Sequence, residues 1–421
     1  MKGNLSTEPY KGVRDFYPED AAIQQFIFKS WAKTAESFGF ERYDASILEP
    51  AELYKSKGAV NEEMVNGQTY TFIDRGEREV TLRPEMTPTV ARMVASKRRD
   101  LKFPLRWYSI PNLFRYERPQ RGRLREHWQL NCDIFGADDF TADIELIALA
   151  YQVLVDFGAS ADMFEILVNN RSEMDTLYRE IGITDNEKIT AITRLNDRKK
   201  KITTDEYQKA LEEILGDVLL AAKVIVLVED HSGSNQVIDG LRQLGINNAK
   251  LDRTIARGFD YYTGTIFEIV DTDPKNNRSM LGGGRFDNLT TMFSDDAISA
   301  VGFGLGDVTM RDFLLSHKLL PDSIMTTAAK ITIIPTDCEL NLPAQQIAQT
   351  LRVRGLSVAT DIGTKKIGKK IADAAERGVI YTIVVGTNEL NSGEFTAKNL
   401  TLGTEEKGTI EQLLTFLIAN C

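Results

Sequence analysis

Cysteine and histidine are both scarce in this chain. The three cysteines, Cys132, Cys338 and Cys421, stand far apart and form no C-x-x-C pair, which argues against a disulfide framework and a cysteine zinc site and fits a reducing compartment. With only His127, His231 and His317 available and no H-E-x-x-H, a histidine metal site lacks its ligands. Serine-nucleophile signatures are also absent. No run approaches the ~20 apolar residues of a spanning helix, and the opening MKGNLSTEPY has no apolar stretch of signal type. The expectation is a cytoplasmic protein with no membrane partner. What is present is ordinary for a globular protein: 421 residues, 42% hydrophobic and 27% charged, which excludes disordered and collagenous classes. At ~150 residues per domain, two or three domains are expected.

The net charge of -10 at first counts against a nucleic-acid partner, since phosphate binding draws on Lys and Arg. Clustering matters more than the total. Positive charge gathers at 97–102, 118–125, 197–201 and 365–370. Any one cluster reads best as a solvated helix face; four together keep a polyanionic partner open. Gly363 to Lys370, GTKKIGKK, has the spacing of a phosphate loop, but Lys370 stands where a magnesium-binding hydroxyl is required. It reads as a basic surface turn.

The texture changes between Leu314 and Lys330. Beyond it, an apolar run at Ile331 to Pro335, a helical period from Ala344 to Val353, a short strand near Ser357 to Thr360 and the strand Ile380 to Val385 alternate with helices. That pattern implies a small α/β domain. The larger N-terminal region reads as a mainly antiparallel sheet. In His127 to Phe135, Trp128, Leu130, Cys132 and Ile134 share one face, while His127, Gln129, Asn131 and Asp133 share the other. A polar face without a lysine suits the floor of a ligand site. Phe114 to Glu117 repeats the device, with Arg115 and Glu117 on one face. Thr87 followed by Pro88 predicts a helix start with the Thr87 hydroxyl as N-cap. Residues from about 170 to 247 read as a helical insertion.

Several segments, taken together and in order, carry a family likeness: TLRPEMTPTVARMV (Thr81 to Val94), LFRYERPQRGRLREHWQLNCDIFG (Leu113 to Gly136), ARGFDYYTGTIFE (Ala256 to Glu268) and LGGGRFDNL (Leu281 to Leu289). The chain resembles the histidyl-tRNA synthetases, a branch of the class II aminoacyl-tRNA synthetases. KGVRDFYPED (Lys11 to Asp20), FGFERYDASILEP ending at Pro50, and VVGTNELNSGEFTAKNL (Val384 to Leu400) resemble the same family. FRYE alone would mark only class II; RGFDYY and GGGRFD are specific to the histidine branch. The resemblance implies an α+β fold. It comprises a class II antiparallel-sheet catalytic domain over 1–325 with the helical insertion, and a C-terminal α/β anticodon-binding domain over 328–421. It also implies a homodimer, with the segment ending at Pro50 near the interface.

The resemblance further implies ATP-dependent ligation of histidine to tRNA(His) through a histidyl-adenylate, with L-histidine, ATP and Mg2+ as the small-molecule requirements. Negative charge must then be stabilised at the α-phosphate. Arg115 is expected at that phosphate, Glu117 near the adenine end, Arg123 at the outer phosphates, and His127 where an adenine-stacking Phe is common. Arg257 matches the arginine beside the carboxylate and α-phosphate, a fixed cation acting as an arginine finger does. Recognising an imidazole takes hydrogen-bonding groups at both ring nitrogens; Tyr261, Tyr262 and Asp133 are the candidates. Glu85, Thr87 and Gln129 match positions holding the amino group and its surroundings. Gly282, Gly283 and Gly284 would let backbone approach the ligand. Arg118, Gln120 and Arg121 are expected to meet the acceptor end of tRNA.

Three positions depart from the family. Phe286 replaces a frequent Tyr, His127 replaces Phe, and in AVGFGLGDVTMRDFL (Ala300 to Leu314) the expected motif 3 arginine falls on Thr309. Arg311 is near, but two residues along a helix turn a side chain about 200° away. Two alternatives stay open: a catalytically weakened synthetase-like regulator, and an RNA-binding or sensor protein on a synthetase fold. The retained Glu85, Arg115, Arg123 and Arg257 argue for an active ligase.

Overall fold

The computed structural model describes residues 5–56, 67–199, 202–256, 261–276, 279–321, 324 and 327–421. The chain forms two compact units, 1–15 with 26–320 and 16–25 with 321–421. No helix among the described residues is long and apolar enough to cross a membrane.

The strands of the first unit are β1 (Glu41–Arg42), β2 (Leu48–Pro50), β3 (Tyr70–Ile73), β4 (Glu79–Leu82), β5 (Leu105–Ser109), β6 (Asn112–Phe114), β7 (Glu126–Phe135), β8 (Phe164–Asn170), β9 (Ala249–Leu251), β10 (Thr265–Asp271), β11 (Ser279–Arg285) and β12 (Ala300–Gly306). Among the described residues the main sheet runs β1-β5-β7-β12-β11-β10-β8-β9, with β6 added to β7. From β5 to β8 in that order every pairing is antiparallel; only the outer β1 and β9 pair in parallel. This is the antiparallel α+β sheet that the resemblance implied.

β7 is the spine of the site. Its Leu130, Cys132 and Ile134 are buried, and the apolar helix Thr141–Val155 covers the sheet near it. β11 and β12 are rich in glycine, a poor strand former, because their neighbours come too close for a side chain. At Gly283 a Cβ would collide with the Gly302 carbonyl and with Phe303, and at Gly284 with the Thr265 carbonyl and the Tyr262 ring. At the end of β11, the Arg285 Nη2 pairs with the buried Asp143 at 2.8 Å, while Nη1 donates to the Ala137 carbonyl and the Ser299 hydroxyl. A charge buried that deeply is tolerable only with such partners.

Between β8 and β9 stand the helices Arg171–Glu180, Asn186–Arg198, Thr204–Leu215, Val218–Glu229 and Gln236–Gln243. Asn170, Asp185, Thr203, Asp217 and Asn235 cap their N-termini with side-chain oxygens, the residue types that satisfy otherwise orphaned amides. Met174, Tyr178, Ile192, Tyr207, Leu211, Val224 and Val228 give this segment an apolar core of its own.

The second unit holds β13 (Ile331–Pro335), β14 (Val358–Thr360), β15 (Tyr381–Val385), β16 (Phe395–Asn399) and β17 (Glu405–Gly408). Their order is β14-β13-β15-β16-β17, parallel for the first three and antiparallel thereafter. The GTKKIGKK turn leads into helix Ile367–Glu376. The Lys369 and Lys370 amides bond to the Lys366 carbonyl, so they are not arrayed around a phosphate. Lys370 is buried, its Nζ donating to the Asp361 carbonyl at 3.0 Å.

Candidate active site

A hollow of about 360 Å³ opens on the polar face of the main sheet. Gln129 and Asn131 of β7 form part of its floor, with Gly282 of β11 and Gly302 and Gly304 of β12 beside them. Gly304 leaves the space that the Gln129 amide fills, and Gly302 leaves the space taken by the Asp133 carboxyl; a Cβ at either would collide with it. Of the three β11 glycines, Gly282 lines the hollow, while Gly283 and Gly284 make room for strand neighbours and Tyr262.

One wall comes from the start of helix Thr87–Lys97. Met86, not Thr87, occupies the N-cap, and no side chain caps that end. The Thr87 hydroxyl is instead hydrogen-bonded to Tyr261. The sequence signal for the helix was right and the capping role was not, because a tertiary partner takes the hydroxyl. Tyr261 also bonds to Tyr262, and burial, reinforced by the negative charge of Glu85, pushes its phenol well above the usual range. The Tyr261 and Tyr262 ring centres lie 4.7 Å apart, and the Phe286 ring meets Tyr261 edge-on at 5.6 Å. Phe286, without a hydroxyl, thus serves as an apolar brace. Behind this wall the buried Tyr54 donates to the Glu85 carbonyl at 3.0 Å and sits 3.0 Å from the Thr89 hydroxyl.

Arg115 also lines the hollow, its Nε anchored on the Pro84 carbonyl, beside Glu85, at 2.8 Å. The hollow therefore joins Glu85, Thr87, Arg115, Gln129, Tyr261 and Tyr262, residues drawn from four separated segments. Asp133, on the same strand face as Gln129 and Asn131, is not among the residues lining the hollow; its carboxyl fills the space beside Gly302, and burial raises it to about 8. It is neutral at pH 7 and can donate a hydrogen bond, which a carboxylate cannot.

Glu117 and Arg123 lie on the neighbouring hairpin as an ion pair with each other. His127 stands among cations: burial first, then Arg115, Arg14 and Arg123, lower its imidazole to about 3, so it is neutral. Arg118, Gln120 and Arg121 are exposed on the hairpin tip, which turns at Gly122 with φ +71°. Arg257 lies outside the described residues.

At motif 3 the helix Asp307–Ser316 begins two residues before Thr309. The Thr309 hydroxyl donates to backbone, to Gly306 O at 3.1 Å and Met280 O at 3.2 Å. It lines a separate small hollow with Arg121, Lys275 and Asp312.

Three features escaped the sequence reading. Asn131, on the polar face of β7, lines the hollow beside Gln129, a role its residue type alone does not mark. Arg83 is buried and ties the motif to its surroundings by donating to the Asn112 and Ala45 carbonyls. Residues 10–14 pack on the motif 2 hairpin, where the Gly12 carbonyl accepts the Arg125 amide at 2.7 Å. The glycine of KGVRDF was the available signal.

Residues 12–307 match the family described as histidyl-tRNA synthetase, and residues 330–420 match the anticodon binding domain. A histidine–tRNA ligase of Leptospira biflexa is 39% identical over 94% of this chain and 94% of its own length. One of Thermoplasma volcanium is 37% identical over 98% and 99%. The crystal structure of a histidyl-tRNA synthetase from a Nostoc species shares the fold, with a TM-score of 0.79 over 99% of this chain and 100% of that one at 22% identity. The sheet, the glycine-floored hollow and these matches together place the chain in the histidyl-tRNA synthetase family.

Proposed function

We propose that this chain is an aminoacyl-tRNA synthetase that ligates L-histidine to tRNA(His), using ATP. In the first half-reaction a carboxylate oxygen of histidine attacks the α-phosphorus and pyrophosphate leaves. In the second, a terminal ribose hydroxyl of the tRNA attacks the activated carbonyl and AMP leaves. The observation that carries this reading is the one hollow that Arg115, Tyr261, Thr87 and Glu85 line together with the floor glycines.

In this reading Glu85 and Thr87 hold the substrate amino end, with Gln129 beside them. Tyr261, Tyr262 and the neutral Asp133 read the imidazole. Arg115 and Arg257 stabilise charge developing at the α-phosphate; fixed donors aimed at developing charge are the strongest term such a site can supply. Glu117 and Arg123 exchange their mutual ion pair for adenine and outer-phosphate contacts, and His127, neutral, offers a flat face to the base. The exposed Arg118, Gln120 and Arg121 meet the acceptor end of tRNA. Among the described residues no three His, Cys, Asp or Glu side chains gather as a metal cage; Mg2+ would enter with ATP as the counter-ion of its phosphates.

Residues 1–325 would form the catalytic domain and 328–421 the anticodon-binding domain. The protein would work in the cytoplasm as a homodimer. Leu48 and Phe72, exposed on one face of the small sheet β2-β4-β3, supply an apolar surface for the partner copy. Charging of a tRNA(His) transcript with labelled histidine tests the whole reading: acid-stable incorporation dependent on ATP and Mg2+ is expected, and no incorporation by folded protein would reject it.

A further inference from the structure

Residues Tyr10 to Arg14 form a strap across the motif 2 hairpin. Arg125 grips it twice, through its amide to the Gly12 carbonyl at 2.7 Å and through Nη1 to the Tyr10 hydroxyl at 2.9 Å. The Arg125 guanidinium also lies over the Tyr116 ring, 4.0 Å from its centre. Gly12 holds φ +88°, and a Cβ there would meet Pro119 at 2.8 Å and Arg125 at 2.9 Å. Both the left-handed backbone and the close seat call for glycine. The strap is thus fixed in place, and Arg14 ends it.

The Arg14 Nη2 donates to Asp307 Oδ2 at 2.7 Å. The other oxygen of that carboxylate accepts the Trp128 amide at 2.9 Å. One side chain, buried to 4% exposure, therefore pins Arg14 beside residue 128, next to His127; the Arg14 side chain itself keeps 21% exposure. Arg115 and Arg123 bear on the same imidazole, so three guanidiniums gather at one neutral ring. Like charges brought together repel; Asp307 pairs with Arg14 and Glu117 with Arg123, and Asp312 bears on Arg14 from the same helix as Asp307. A polyanion satisfies all three at once. The helix that begins at Asp307 brings no cation of its own at Thr309, whose hydroxyl is bonded to backbone.

We propose that Arg14, positioned by Asp307, is a nucleotide-binding residue that contacts the phosphates of ATP together with Arg115 and Arg123. This rests on the ATP-dependent reading above. Arg14 comes from the N-terminal strap, a segment to which the sequence assigned no role, and Asp307 fixes its fork so that little side-chain freedom is lost when phosphate arrives.

Histidine-dependent ATP–pyrophosphate exchange separates the outcomes. In Arg14→Ala the KM for ATP should rise roughly 10-fold or more, the loss of one charge-assisted contact, while the KM for histidine moves less than about 2-fold. Inorganic tripolyphosphate, added as a competitive inhibitor, should weaken by a similar factor. Arg14→Lys, which keeps the charge but not the fork, should fall between, and it supplies the reading if Arg14→Ala does not fold. An unchanged KM for ATP, or an equal rise for ATP and histidine, overturns the assignment. So does a raised KM for ATP with unchanged tripolyphosphate inhibition, which would place Arg14 on the base. Absence of exchange in the unmodified protein would instead remove the ligase reading, a result distinct from any of these.

Discussion

The arginines around His127 and the lysines between 365 and 370 are two gatherings of positive charge, yet the fold uses them in opposite ways. Lys365 and Lys369 share Asp373 at 2.5 and 3.0 Å, and Lys370 is turned inward onto Asp361. Lys365, Lys369 and Lys370 are each answered by an acid close in sequence, and Lys366 is exposed. Arg14, Arg115 and Arg123 come from separate stretches of chain and converge on one imidazole, lowering it to about 3 after burial has taken the larger share. The lesson is that positive charge announces a polyanion where the fold brings cations from separate stretches of chain onto one site, and not where lysines close in sequence are taken up within their own turn and helix.

The sharpest break in this comparison is Arg115→Ala, which should lower the histidine-dependent exchange rate by about 10²–10³-fold, the usual cost of removing one fixed donor from developing charge. Lys369→Ala in the same assay should leave exchange unchanged. Equal losses in the two variants would erase the distinction between the clusters.

A smaller effect is expected on the other wall of the hollow. Tyr261→Phe removes the hydroxyl that bonds to Thr87 and Tyr262 and leaves buried groups short of a partner, at a cost of about 1–3 kcal/mol. Read as histidine KM, that is a rise of roughly 5- to 150-fold, with the KM for ATP nearly constant. A shift in ATP use alone would move Tyr261 out of the amino-acid pocket.

Asp133 gives a pH test. In the fold its carboxyl titrates at about 8, while an unfolded Asp titrates at about 4. The raised folded value means that the native state binds more protons between those limits, so the Asp133 contribution to stability declines as pH rises from about 4 to about 8. Asp133→Asn should flatten that part of the stability profile, measured by urea midpoints. An unaltered slope would show that Asp133 is ionised in the fold. The smallest expected effect is on stability in the second unit: Lys370→Met, which removes the donor to the Asp361 carbonyl, should destabilise by about 1–3 kcal/mol, whereas Lys369→Gln should leave the melting temperature unchanged.

Much of this was legible in the sequence. The alternation of β7 identified its polar face because period-two patterning survives wherever one face of a strand is buried. The α/β alternation after Lys330 likewise marked the strands and helices from Ile331 to Val385, but not the antiparallel β16 and β17 or the helices from Thr387 on. Thr87 shows where local reading stops: its residue type fits an N-cap, and only the fold could reveal that Tyr261 takes the hydroxyl. The glycines of β11 show the same limit, since a run of three reads as backbone opened to a ligand, while two of them yield to strand neighbours. Arg14 was the least visible residue, because its partner Asp307 is 293 positions away and nothing local marks the pair.

The central claim is that the glycine-floored hollow activates histidine with ATP. ATP–pyrophosphate exchange measured on the full chain with each of the twenty amino acids tests it most directly. The account predicts exchange that depends on histidine and on Mg2+, falls by about 10²-fold or more in Arg115→Ala, and is not supported by the other nineteen; exchange with a different amino acid, or none at all from folded protein, would contradict it.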